Sequence, residues 1–206
     1  GVDLLLQAMV RYLPTPENRA PVTATKVEDD TEVTRSAGSG EATSALVFKT
    51  IADPYAGKLT LFRTFSGTIK GDSSIFNTSQ GVSERVGQLY MLQGKTQVPV
   101  SEVPEGEIGA VAKLKQTITG DTFSDSDEKV NFAPIIFPLP VFSRALMPKT
   151  RADEEKISHA LQRLTEEDPT LKVERSSQTG ELLISGLGQV HFDVALEKLK
   201  ARFGVE

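Results

Sequence analysis

Apolar residues open the chain at helical spacing. Val2, Leu5, Leu6, Met9 and Val10 fall on one stripe, and Pro14 and Pro16 end it, so residues 1–16 are predicted to hold a short helix and its stop. A helix of this length is marginal alone and its stripe calls for a covering surface. Residues 17–44 are polar and weakly patterned, with Glu28-Asp29-Asp30 followed by Ser36-Ala37-Gly38-Ser39-Gly40. They read as a linker or mobile loop, with room for a short edge strand at 22–27.

From 45 to 125 the period changes to two. Leu59, Leu61, Arg63 and Phe65 share one face of a run whose other face carries Thr60, Phe62 and Thr64. Turn signals separate such runs, among them Asp53-Pro54-Tyr55-Ala56-Gly57, Ser66-Gly67, Lys70-Gly71-Asp72, Gln93-Gly94-Lys95, Pro104-Glu105-Gly106 and Thr119-Gly120-Asp121. Short strands at this spacing predict a closed barrel or a sandwich. Residues 126–140 contain Phe132-Ala133-Pro134 and Phe137-Pro138-Leu139-Pro140, which disfavour helix and suit an extended connector.

Residues 141–206 change pattern again. A strand at 141–147 precedes a helix that opens on Thr150 and Asp153, a capping box, and runs to about Glu167 on the stripe Ile157, Ala160, Leu161 and Leu164. Asp168-Pro169 stops it. A hairpin at 171–185 leads to a second helix from Gln189 to Phe203, with Phe192, Leu196, Leu199 and Phe203 on its stripe. The order β-α-β-β-α is the ferredoxin-like split βαβ plan, with Val205-Glu206 expected to begin a fourth strand that the sequence does not complete.

Composition narrows the chemistry. The 206 residues suffice for two domains; 38% are hydrophobic and 25% charged, an ordinary globular balance. Cysteine is absent and only His159 and His191 are present, which excludes a disulfide framework and a thiolate site and disfavours structural zinc. The net charge of −5 argues mildly against a nucleic acid as the dominant partner. No apolar run reaches membrane-spanning length and no signal peptide opens the chain. A cytosolic setting suits all of this.

Three segments resemble a known family. Ala45-Leu-Val-Phe-Lys-Thr-Ile-Ala-Asp-Pro-Tyr-Ala-Gly-Lys-Leu-Thr-Leu-Phe-Arg63, continued by Ser66-Gly67, resembles the opening of the second-domain barrel of translation elongation factor G. Pro148-Lys-Thr-Arg-Ala-Asp-Glu-Glu-Lys156 with Leu164-Thr-Glu-Glu-Asp-Pro-Thr170 resembles the first helix of its third domain. Ile184-Ser-Gly-Leu-Gly-Gln-Val-His191 is similar to the family's Ile-Ser-Gly-Met-Gly-Glu-Leu-His, and Leu4-Leu5 with Tyr12-Leu13-Pro14-Thr15-Pro16 to the end of its GTPase domain. Gln189 replaces the usual Glu, Phe192 the usual Leu and Phe65 the usual Tyr, which points to a divergent paralogue.

The resemblance implies a translation-factor barrel followed by a ferredoxin-like third domain, within a ribosome-associated, cytoplasmic, monomeric GTPase that uses GTP and magnesium and promotes translocation. A ribosomal protection or recycling paralogue, or a stand-alone binding module, are the alternatives. The partners implied are ribosomal RNA, a small-subunit protein and the GTPase domain of the same chain; no membrane is implied. Thr170, Gly186, Gly188 and His191 would form a relay surface by the groove where fusidic acid lodges.

This stretch carries no G-x-x-x-x-G-K-[ST] phosphate cradle, so neither catalysis nor a cofactor or metal site of its own is expected. His191 has no nucleophile motif beside it and reads as an exposed relay residue or a buried, hydrogen-bonded one. The acidic run Asp153-Glu154-Glu155 suits a helix N-terminus better than a metal. Glu166-Glu167-Asp168 sits at a C-terminus, where anions are unfavourable, and invites an external partner. Lys58, Arg63, Lys70, Arg85, Lys149 and Arg151 are the candidates for phosphate contact on the ribosome.

Overall fold

A computed structural model describes residues 1–38, 40–53 and 57–205. Ser39, part of the turn at 53–57 and Glu206 therefore lie outside the described residues. The chain divides into two compact units, Gly1–Lys49 with Leu59–Pro134, and Thr50–Lys58 with Ile135–Glu206.

Helix α1 spans Val2–Tyr12 and ends at Leu13, whose extended backbone is what the following Pro14 requires. It buries no residue; Leu4, Leu5, Leu6 and Val10 are all exposed. Residues 17–44, expected to be a linker or mobile loop with a short edge strand at 22–27, carry that strand as β1 (Val22–Lys26), and also a 3-10 turn at Pro16–Asn18 and a second strand, β2 (Glu32–Arg35), that makes a hairpin with it. An Asx turn closes the hairpin: Asp29 Oδ1 accepts from Thr31 N and from Thr31 Oγ1, at 3.1 and 2.7 Å. The third strand of this sheet, β13 (Val130–Phe132), comes from the expected connector and pairs Ala24 with Phe132. A partner about 100 residues away leaves no local signal, and the inward position 35 is an arginine, which breaks the alternation.

The larger sheet uses β3 (Ser44–Asp53), β4 (Gly57–Ser66), β6 (Ser73–Asn77), β7 (Val82–Val86), β8 (Leu89–Gln93), β9 (Thr96–Val100), β11 (Ile108–Ala112) and β12 (Thr122–Ser124). Their order is β7-β6-β12-β3-β4-β11-β8-β9, and β5 (Thr68–Lys70) pairs separately with β10 (Glu102–Pro104). Laid flat, eight strands would span roughly 34 Å. Yet Val86 from β7, at one edge, and Leu89 from β8, near the other, share one core with Val47, Phe62, Val111 and Phe123. The sheet is therefore curled about the apolar face that the period-two pattern predicts, as a half-barrel rather than the expected closed barrel, since β7 and β9 do not pair with each other among the described residues. Phe62 meets Phe123 edge to face at 6.0 Å. The opposite face of β4 is covered too: Phe65 packs on Phe132 at 4.8 Å, among Ala24 and Val130 of the small sheet.

The second unit follows the split βαβ plan. Strands β14 (Phe142–Leu146), β15 (Lys172–Arg175) and β16 (Leu182–Gly186) lie in the order β14-β16-β15 with antiparallel neighbours. Helix α2 (Arg151–Glu167) buries Ile157, Ala160, Leu161 and Leu164, the stripe read from the sequence. Its cap is Thr150: Asp153 N donates to Thr150 Oγ1 at 3.2 Å, and the Thr150 hydroxyl, in place of the backbone N–H of a full capping box, donates to Asp153 Oδ2 at 2.7 Å.

Helix α3 (Gln189–Lys198) departs from expectation. Phe192, Ala195 and Leu199 are buried, whereas Leu196 is 38% exposed. The spacing i, i+3, i+7 selects Ala195, and a π-turn at Leu199–Phe203 widens the last turn before Gly204, at φ 62, ends it. Val205 is buried in the core with no strand assigned to it.

Candidate functional site

The end of α2 and the start of α3 meet through one carboxylate. Pro169 cannot continue α2, so Asp168 caps it in an extended conformation, with its N–H on Leu164 O. Asp168 Oδ1 accepts from Thr170 N at 3.0 Å and from Thr170 Oγ1 at 2.6 Å. Asp168 Oδ2 lies 2.9 Å from His191 Nε2. The other ring nitrogen, Nδ1, accepts from Leu187 N at 3.1 Å. An acceptor at Nδ1 places the proton on Nε2, which donates to the carboxylate.

Burial pushes the Asp168 carboxyl up, but the hydrogen bonds from Thr170 Oγ1, Thr170 N and His191 outweigh it and hold it below the ordinary aspartate value. His191 is thus neither freely exposed nor a core residue. Its side chain is 19% exposed and both ring nitrogens are engaged.

Gly186, at the end of β16, is the floor of this clasp. A Cβ there would stand 2.9 Å from His191 Nδ1 and 3.4 Å from Leu171 Cδ2. The residue that approaches this glycine closely is therefore the protein's own imidazole. Gly188 differs. Its backbone is extended, and nothing lies within 4 Å of an added Cβ, so no steric need for glycine exists there. Thr170, Gly186 and His191 are brought together, with Gly188 two residues beyond Gly186 in the same loop.

The acidic run at the C-terminus of α2 is satisfied internally, which corrects the expectation of an external partner. Glu167 receives Lys198 Nζ at 3.1 Å and Arg202 at 2.7 Å, and Glu166 pairs with Arg163. Burial raises the Glu167 carboxyl, but Lys198 and then Arg202 outweigh it and leave it below its ordinary value. Among the described residues no group of three His, Cys, Asp or Glu is placed to hold a metal ion, and no helix is long and apolar enough to cross a membrane.

The basic candidates are divided between the two units, and within the barrel unit Arg63 and Arg85 stand apart. Lys58 and Arg63 lie on β4, whereas Arg85 lies on β7, four strands away in the sheet, about 19 Å at ordinary strand spacing. Lys70 and Arg85 share one end: Lys70 O accepts from Ser73 Oγ, and Ser73 is opposite Val86. Arg63 donates to Gly106 O at 3.4 Å. Lys149 and Arg151 flank the start of α2, some 25 Å along the helix from Asp168.

Two polar centres escaped the sequence reading. Asp168-Pro169-Thr170 carries an Asx-turn signature that identifies Asp168 as the hub. Glu84 falls between Val82 and Val86 on the inward face of β7, and a carboxylate on an apolar face was the available signal.

Comparison with known proteins matches both units. Residues 42–126 match the family described as elongation factor G domain 2, and residues 137–206 the family described as elongation factor G, domain III. A crystal structure of a protein from Thermus thermophilus superposes with a TM-score of 0.76 at 32% identity, over 100% of this chain and 28% of that one. The chain thus spans less than a third of that relative's length.

Proposed function

Because the chain carries a second and a third domain of the elongation factor G family, we propose that it works within a ribosome-associated translational GTPase that promotes GTP-dependent translocation in the cytoplasm. In this reading the barrel rests on the small ribosomal subunit, with Lys58, Arg63, Lys70, Arg85, Lys149 and Arg151 as phosphate contacts at separate points. The third domain relays nucleotide state through Thr170, Gly186, Gly188 and His191. GTP and magnesium belong to the GTPase domain, not to this stretch.

The observation that carries the relay is the Asp168 clasp. It ties the loop after α2 to the first turn of α3, so a push on either is felt by both. Beside it Leu187, Val190 and Val194 are exposed, an apolar surface suited to a neighbouring domain. Toeprinting with the full-length protein tests the function. Advance of the messenger by one codon on addition of GTP is the expected result. Subunit splitting without that advance would assign the recycling role instead, and indifference to GTP would defeat the reading.

The 206-residue chain itself should not bind GTP. It has no glycine-rich turn whose amides and following lysine cradle phosphates. Calorimetry with GTP and magnesium should give no heat of binding. A micromolar affinity would contradict the division of labour proposed here.

A further inference from the structure

A groove of about 320 Å³ opens within the barrel unit, between the segment after α1, the end of β2 and the C-terminal end of β4. It lies apart from the His191 clasp. Its charged lining residues are Arg19, Arg35 and Arg63, with no carboxylate among them, in a chain of net charge −5. Carboxylates stand at its rim, where two of them are held by backbone N–H groups and Glu17 lies beside Gly38. Glu41 accepts from Ser36 N and Glu105 from Gly38 N.

The three arginines are incompletely compensated. Among the described residues Arg19 and Arg63 have no ion-pair partner, and Arg63 donates only to the Gly106 carbonyl. Arg35 is 7% exposed, yet its partner Glu128 is 58% exposed and its Nε has no hydrogen-bond partner. A buried guanidinium whose counter-charge stands largely in water leaves positive potential in the adjoining groove. Guanidinium groups offer forked donors matched to phosphate and carboxylate oxygens. The rest of the lining includes Phe65, Val22 and Pro16, an apolar wall of the kind that buries the body of a small ligand.

We propose that this groove is a binding site for the oxyanion of a small phosphate compound, held between Arg19 and Arg63 in the field of Arg35, with any organic body against Phe65. Inorganic phosphate and phenyl phosphate, titrated into the chain at constant ionic strength, distinguish free phosphate from a phosphate ester. Amide chemical shifts of Ala37, Arg63, Phe65 and Gly106 report occupancy.

Saturable shifts confined to the groove are expected, several-fold tighter for phenyl phosphate because of the apolar wall. Equal affinity for both assigns the site to free phosphate. Arg19→Ala and Arg63→Ala should each weaken binding about tenfold, the loss of one charge-assisted contact. Lys172→Ala, outside the groove lining, should leave it unchanged. Arg19 is exposed, so its variant tests the site without disturbing the fold. Shifts that fail to saturate by about 10 mM, above the millimolar range of a weak small-ligand site, or that persist unchanged in Arg19→Ala, overturn the proposal.

Discussion

Replacing Glu84 by glutamine should destabilise the barrel unit by about 3 kcal/mol or more, the largest effect expected of any single polar substitution in it. Glu84 is 6% exposed and accepts from Lys115 N, Gln116 N, Thr117 N and Thr117 Oγ1 at 2.7–3.1 Å. Thr117 Oγ1 in turn accepts from Asn77, whose amide also reaches Asp121 at 2.8 Å, and Asp121 accepts from Ile118 N and Gln80. The network closes the segment between β11 and β12 onto β6 and β7. An amide keeps the shape but turns an NH2 toward donors, leaving at least one buried N–H unmatched in a network where every partner counts.

Urea melts followed by hydrogen exchange in residues 45–125 check this result; a loss under about 1 kcal/mol would show that the segment is held by its apolar neighbours instead. The acid limb provides a second test. Burial raises the Glu84 carboxyl, but the N–H bonds from Gln116, Lys115 and Thr117 and the Thr117 hydroxyl bring it below the ordinary 4.5. A depressed folded-state pKa gives stability that is complete above the unfolded value and fades as pH falls through the folded one. The wild-type barrel should therefore weaken below about pH 4.5, and Glu84→Gln should lack that component.

The second large effect belongs to the clasp. Gly186→Ala should cost the third domain about 2 kcal/mol, because the new methyl meets the imidazole at 2.9 Å and displaces it from Asp168 and Leu187. His191→Ala should cost about 1–2 kcal/mol by leaving the Leu187 N–H and one Asp168 oxygen unmatched. The double variant should cost less than the sum by about 1 kcal/mol, since once the ring is gone the methyl has space. Strict additivity would mean that the glycine and the histidine do not share this contact. On the proposed relay reading, either variant in the full-length protein should slow messenger advance at a temperature where the third domain is still folded.

Much of this was legible along the chain because it rests on neighbours in sequence. The α2 stripe at Ile157, Ala160, Leu161 and Leu164 is a period of 3.6 residues, and the Thr150–Asp153 box is contained in one turn. The curled barrel follows from alternation about Phe62, and the βαββα order from the sequence of patterns. The resemblance of three segments to elongation factor G picked out both domains for the same reason: each motif is continuous. Tertiary structure decided what depends on partners remote in the chain. The strand at Val22–Lys26 was legible as a short edge strand, but only the fold placed Val130–Phe132 beside it and made it the centre of a three-stranded sheet. Ala195 displaced Leu196 from the core because the sheet beneath α3 admits one face of the helix. Arg35 is an ordinary charge in the sequence, and the local signals at Glu84 and Asp168 mark an inward carboxylate and a turn without naming their remote partners. The parts of their roles that the sequence could not show come from donors or acceptors 23 to 93 residues away, and from the loss of water around them, which makes an unmatched polar group costly only after the chain has closed over it.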